Sequence, residues 1–164
     1  MASSCRSERL RAGWLGALLV CAAATAGASE APLEAKDAAG RSVTLSLEDE
    51  AALVVHFWAS WCPECAEELP GLEAAAARCA GSVRVRPVNV GESLEAAEAF
   101  RARHGLRLPL LRDPGGQLFR RFASGLPANL VWTREGRRVL TGPNERAEWE
   151  ALLAELGCSG DRLR

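Results

Sequence analysis

The run Leu53-Val54-Val55-His56-Phe57-Trp58 is followed, after three residues, by Cys62-Pro63-Glu64-Cys65 and then by a stretch rich in Ala, Glu and Leu. A short, nearly continuous apolar run with β-branched residues reads as a strand buried on both faces. The residues after it are strong helix formers, so helix is expected from 62 to 80, with Pro70 kinking its middle. The chain must therefore cover both faces of one strand and carry a C-x-x-C where that strand gives way to a helix. Sulfur at a helix N-terminus meets unpaired backbone N–H groups and the positive end of the macrodipole, which favour thiolate over thiol. Cys62 is the expected nucleophile and Cys65, further into the helix, the resolving thiol. Pro63 is tolerated in the first turn because its missing N–H would be unpaired there anyway. Glu64 sets a negative charge beside the pair, which opposes the thiolate and argues for a reductant over a strong oxidant.

Competing uses of paired cysteines are weaker. Zinc needs four ligands, but there is no second C-x-x-C, and His56, His104, Cys79 and Cys158 are scattered. A c-type haem needs His after the second cysteine, where Ala66 stands. A plain structural disulfide across the two-residue loop stays open as an alternative.

The remaining elements follow from punctuation and periodicity. Leu33–Ala35 and Val43–Leu45 flank a polar turn ending in Gly40 and predict a small hairpin. Val83–Val90 reads as a second buried strand, and Ser93 caps a helix that ends at His104 before Gly105. A short strand near Leu108–Leu111 precedes the turn Asp113-Pro114-Gly115-Gly116 and a brief helical piece with Leu118, Phe119 and Phe122. Ala128–Thr133 and Arg137–Thr141 form an antiparallel hairpin, and Asn144 caps a last helix carrying Trp149, Leu152, Leu153 and Leu156. The class is α/β, a mixed central sheet with helices on both faces.

The 164 residues have a formal net charge of -1 and no basic stripe, which excludes a phosphate-tracking nucleic-acid binder. Residues 1–28 read as an export signal: Arg6, Arg9 and Arg11, then an apolar stretch from Trp14 to Ala24, then Ala26-Gly27-Ala28. An uncleaved anchor is the rival, and lipidation at Cys21 a further one. Residues 29–164 are then a single domain, periplasmic or otherwise extracytoplasmic, soluble after cleavage or tethered by its N-terminus, in a compartment where disulfides persist.

The segment Phe57-Trp58-Ala59-Ser60-Trp61-Cys62-Pro63-Glu64-Cys65 with Glu67-Glu68-Leu69-Pro70, the segment Asn89-Val90-Gly91-Glu92-Ser93, and Gly125-Leu126-Pro127 before the hairpin together resemble the thioredoxin-like extracytoplasmic oxidoreductases of the TlpA/ResA/DsbE type. The resemblance implies a thioredoxin fold with an N-terminal hairpin and a central strand–helix insert. It implies a protein-disulfide reductase without cofactor or metal, in which Cys62 and Cys65 are the dithiol and Glu92 an acidic modulator beside it. Pro127 is then a cis-proline, and the Leu126 backbone an edge for an extended substrate. Exported dithiol or disulfide proteins such as apocytochrome c are the implied partners, with a membrane thiol-disulfide donor for recharging and a monomeric enzyme. A metal-binding thioredoxin-fold chaperone for copper or zinc is one alternative, although the cysteine spacing is wrong for copper delivery. A peroxiredoxin-like peroxidase is another, although Ala59 and Ser60 stand where a threonine is needed.

Three further expectations depend on that fold. Cys79 and Cys158 lie near the ends of two helices that cover one face of a thioredoxin sheet, and are expected to pair. His56 occupies the place of the aspartate that thioredoxins bury behind the second cysteine, so His56 and Glu92 are expected to exchange protons with the pair. The plainer readings are a core histidine and a helix-entry carboxylate. Trp58 and Trp61 are expected to pack around the dithiol, and Trp149 to lie in the core.

Overall fold

The computed structural model describes residues 32–79 and 81–158, so the expected export segment lies outside the described residues. Within them the chain runs β1 (Leu33–Lys36), β2 (Ser42–Leu45), β3 (Ala52–Trp58), α1 (Pro63–Ala76), β4 (Val83–Val90), α2 (Leu94–His104), β5 (Leu111–Asp113), α3 (Gln117–Arg120), β6 (Ala128–Thr133), β7 (Gly136–Thr141) and α4 (Arg146–Glu155). The strands form one mixed sheet in the order β2-β1-β5-β4-β3-β6-β7. β3 is parallel to β4 and antiparallel to β6, with His56 opposite Pro87 on one side and Asn129 on the other.

All seven residues of β3 are buried, because layers cover both faces of the sheet. Leu53, Val55 and Phe57 point to one face, among Leu118 and Phe119 of α3, Leu33 of β1 and Leu130 of β6. Ala52 and Val54 point to the other, against Leu72 and Ala75 of α1 and Trp149 and Leu153 of α4. This period-2 division makes the apolar run of β3 a core strand and sets α1 and α4 side by side. At the end of β3, Trp58 packs with Cys62, Cys65, Leu69 and Phe100, so a third apolar cluster forms around the cysteine pair.

Three of the boundaries that differ from the sequence reading have a physical cause. Helix α1 stays continuous through Pro70 but stops at Ala76, not residue 80. Arg78 N and Cys79 N donate to carbonyls three residues back, which tightens the last turn, and Gly81 at φ 88° reverses the chain. Strand β5 begins only at Leu111, since Pro109 lacks the N–H a ladder needs. The cap of α4 is Glu145, not Asn144: Glu145 N donates to Glu148 Oε2 at 2.6 Å. The Asn144 amide is used elsewhere, on a carboxylate of α1.

A disulfide joins Cys79, just past α1, to Cys158, just past α4, with Cα atoms 4.6 Å apart and a sequence separation of 79. Closing so long a loop stabilises by about 4–5 kcal/mol in the chain-entropy account.

Candidate active site

The second disulfide is Cys62–Cys65, at the start of α1. Cys62 is the N-cap, with extended backbone, and its sulfur accepts from Cys65 N at 3.2 Å. That bond is the physical form of the helix-terminus argument: a backbone donor already points at the sulfur that would carry charge after reduction. Cys62 keeps 3% exposure and Cys65 none. Pro63 fills the first helical position, and Glu64 Oε2 lies 3.9 Å from Cys62 Sγ.

The two tryptophans flanking the turn differ in burial. The Trp61 side chain stands 68% exposed immediately before Cys62. A turn residue whose neighbours are already buried has no core left to enter, while Trp58, at the end of a core strand, is 1% exposed and stacks on Phe100 at 4.8 Å.

Glu92 serves the loop that presents the cysteines. After β4, Gly91 at φ 74° turns the chain so that Glu92 Oε2 accepts from Ser60 N at 2.7 Å and Oε1 from Ser60 Oγ at 2.5 Å. Asn89 Nδ2 adds a third hydrogen bond at 2.6 Å. These charge-assisted bonds anchor the segment two residues before Cys62 to the end of β4. The Leu126–Pro127 peptide is cis, and Leu126 packs at the edge of the apolar cluster that contains both cysteines.

Sequence reasoning missed Glu68. It sits one turn after Cys65 on the buried face of α1, with its side chain 1% exposed. Asn144 Nδ2 donates to its Oε1 at 3.2 Å and Asn129 Nδ2 at 3.5 Å, while Oε2 has no hydrogen-bond partner among the described residues. Burial pushes the Glu68 carboxyl up to about 7, against the pull of the Asn144 and Asn129 amides, the Asn144 backbone N–H and the Trp149 indole N–H. His56, fully buried and edge-on to Trp149, places Nδ1 2.7 Å from Asn129 Oδ1 and 3.9 Å from Glu68 Oε1. Burial lowers its pKa to about 4, so the ring is neutral at physiological pH. The one sequence signal for Glu68 was its place in the stripe Cys65, Leu69, Leu72, which the neighbouring Glu64 and Glu67 disguised as a solvated face.

Among the described residues, no three His, Cys, Asp or Glu side chains converge as metal ligands would, and no helix is long and apolar enough to cross a membrane.

Comparison with known proteins agrees with this arrangement. The chain is 29% identical over 111 residues to the thiol-disulfide oxidoreductase ResA of Bacillus subtilis, and 28% identical over 106 residues to that of Geobacillus kaustophilus. The alignments take in 65% and 62% of this chain but only 62% and 61% of those proteins. The crystal structure of a secreted Mycobacterium tuberculosis disulfide oxidoreductase shares the fold, with a TM-score of 0.65 at 23% identity over 74% of this chain and 94% of that one. Residues 27–138, about two thirds of the sequence, match the AhpC/TSA family model, and the chain, with its thioredoxin fold, belongs to the AhpC/TSA family.

Proposed function

We propose that this protein is an extracytoplasmic thiol-disulfide oxidoreductase that reduces disulfides of exported proteins, apocytochrome c among them, and is recharged by a membrane thiol-disulfide donor. The observation that carries the reading is the Cys62–Cys65 disulfide at the mouth of α1, with the Cys65 N–H already directed at Cys62 Sγ. In the reduced enzyme the Cys62 thiolate attacks one sulfur of the target disulfide, the other sulfur leaves as thiolate and takes a proton, and a mixed disulfide forms. Cys65 then loses its proton and attacks Cys62 Sγ. The target leaves as a dithiol and the enzyme keeps the disulfide; two electrons and two protons pass to the target.

The resolving step needs a base near Cys65. Glu68, one turn away on the same buried face, takes up and releases a proton around neutral pH, where a general base is most effective. Support for a reductant comes from Glu64, whose charge beside Cys62 raises the cost of a stable thiolate.

Insulin reduction with a dithiol donor tests the reading. Wild-type protein is expected to precipitate the insulin B chain, Cys62→Ser to do nothing, and Cys65→Ser to accumulate mixed disulfides with the target. Full activity in Cys62→Ser overturns the assignment, and stoichiometric copper binding by the reduced protein without insulin reduction replaces it with a metal-carrier function.

A further inference from the structure

Between β3, β6 and α1 three polar side chains meet in the interior. His56 and Asn129 face each other across the β3–β6 ladder and are both fully buried, and Glu68 approaches from α1. Burying three such groups is costly unless each is satisfied, yet two atoms of the set, His56 Nε2 and Glu68 Oε2, have no partner among the described residues. Asn129 explains which two they are. Its amide has one accepting end and one donating end. The donating Nδ2 faces Glu68 Oε1, which leaves Oδ1 for His56 Nδ1. A carbonyl oxygen accepts only from a protonated nitrogen, so in the neutral ring Nδ1 carries the proton and Nε2 the lone pair. Because both Asn129 and Asn144 donate to Glu68 Oε1, a proton arriving on this carboxylate goes to Oε2.

We propose that Asn129 is a positioning residue for the thiol chemistry, holding His56 as its Nδ1–H tautomer and Glu68 by Oε1 so that Nε2 and Oε2 are the two proton-accepting atoms on the sheet side of α1. The proposal rests on the thiol-disulfide exchange reading of Cys62 and Cys65. It gives the residue two places after the cis-proline a task in the site, and it makes His56 and Asn129 a matched pair: neither side chain is satisfied if the other is apolar. Glu68 is the member that trades protons with the outside. It lines one cleft with Glu64 and Glu67 of its own helix and with Glu145, Arg146 and Glu148 at the entry to α4, while His56 faces it from β3. Burial favours protonated Glu68, and the pull of the Asn144 and Asn129 amides, the Asn144 backbone and the Trp149 indole opposes it.

The test reads the imidazole directly. The chain contains two histidines, so 15N-histidine labelling with a His104→Gln control assigns His56 in the NMR spectrum. In wild-type protein the His56 ring is expected to be neutral, protonated at Nδ1 and bare at Nε2. In Asn129→Leu it is expected to revert to the Nε2–H form common in solution. The same variant loses a donor to Glu68, so the midpoint of the pH profile for mixed-disulfide resolution moves up by about half a unit or more. A wild-type ring protonated at Nε2 overturns the proposal even if Asn129→Leu fails to fold. So does a folded Asn129→Leu protein with unchanged tautomer and unchanged profile. Wild-type protein inactive on insulin brings down the exchange reading itself, a result separate from either imidazole outcome.

Discussion

Helix α1 has a disulfide at each end, and the two ends are built in opposite ways. At the N-terminal end the bridge spans three positions, and the sulfurs lie among a backbone donor, a carboxylate 3.9 Å away, an exposed tryptophan and a cis-proline segment. At the C-terminal end the bridge spans 79 positions, and Cys79 lies among Leu72, Ala75, Val83 and Leu156. A three-residue loop constrains little of the unfolded chain, whereas a loop of about 80 residues constrains much of it. The same covalent bond thus sits beside a carboxylate and a backbone donor at one end of α1 and in a mainly apolar cluster at the other.

Substitutions at each end test that contrast. The largest effect is expected from Cys62→Ser, which abolishes insulin reduction while the midpoint of urea unfolding stays close to that of the reduced wild type. The mirror experiment, Cys79→Ala with Cys158→Ala, should lower unfolding stability by about 4 kcal/mol yet leave turnover per folded molecule unchanged. If the double variant loses activity while folded, the two ends of α1 are not independent.

The buried proton holders sharpen the account of the N-terminal end. Glu68 has a raised pKa in the fold, about 7 against 4.5, so its contribution is fully present below 4.5 and lost as pH rises through 7. His56 has a lowered one, about 4 against 6.5, so its contribution is present above 6.5 and lost as pH falls through 4. Between 4.5 and 6.5 the two slopes oppose each other, and wild-type stability is expected to be nearly flat in pH. Glu68→Gln removes one of them. Its stability should fall as pH drops from 6.5 towards 4, by up to about 1.4 kcal/mol per pH unit, in urea titrations across that range. The same variant should slow mixed-disulfide resolution at neutral pH by about 10²-fold.

Smaller effects are expected at the rim. Glu92→Ala frees Ser60 and should cost about 1–2 kcal/mol and loosen the loop, seen as faster amide exchange at Ser60 and Trp61. Trp61→Ala should leave stability within about 0.5 kcal/mol, since the side chain is solvent-exposed, and act on the KM for protein substrates alone.

Much of this arrangement is legible in the amino-acid sequence. The apolar run of β3 and the C-x-x-C after it specify a strand–helix junction by local rules, and Ser93 and Gly105 bracket α2 as cap and stop. Glu68 and Asn129 were not legible as a pair, because no local rule relates residues 61 positions apart, and a glutamate among glutamates on a helix reads as solvated. Asn144 illustrates the same limit: its side chain fits the preference for an N-cap, but tertiary contact with Glu68 outbids the helix end, and Glu145 takes over the cap. The exposure of Trp61 was not legible either, because hydrophobicity indicates burial only where the backbone leads inward.

The staple at the far end of α1 also has a consequence for how such a molecule is made and kept. On the proposed reductase reading, the Cys79–Cys158 bridge is oxidised once and kept, while the Cys62–Cys65 bridge at the other end of α1 is reduced in every cycle. Maturation therefore calls for an electron acceptor and service for an electron donor, in that order. A small diffusible thiol strong enough to do the second job would threaten the first. Cys79 is buried among hydrocarbon but its partner Cys158 is only partly buried, while the Cys62–Cys65 bridge lies beside the exposed Trp61. On that reading a reductant that docks as a protein beside Trp61 would recharge Cys62–Cys65 and leave the Cys79–Cys158 bridge intact.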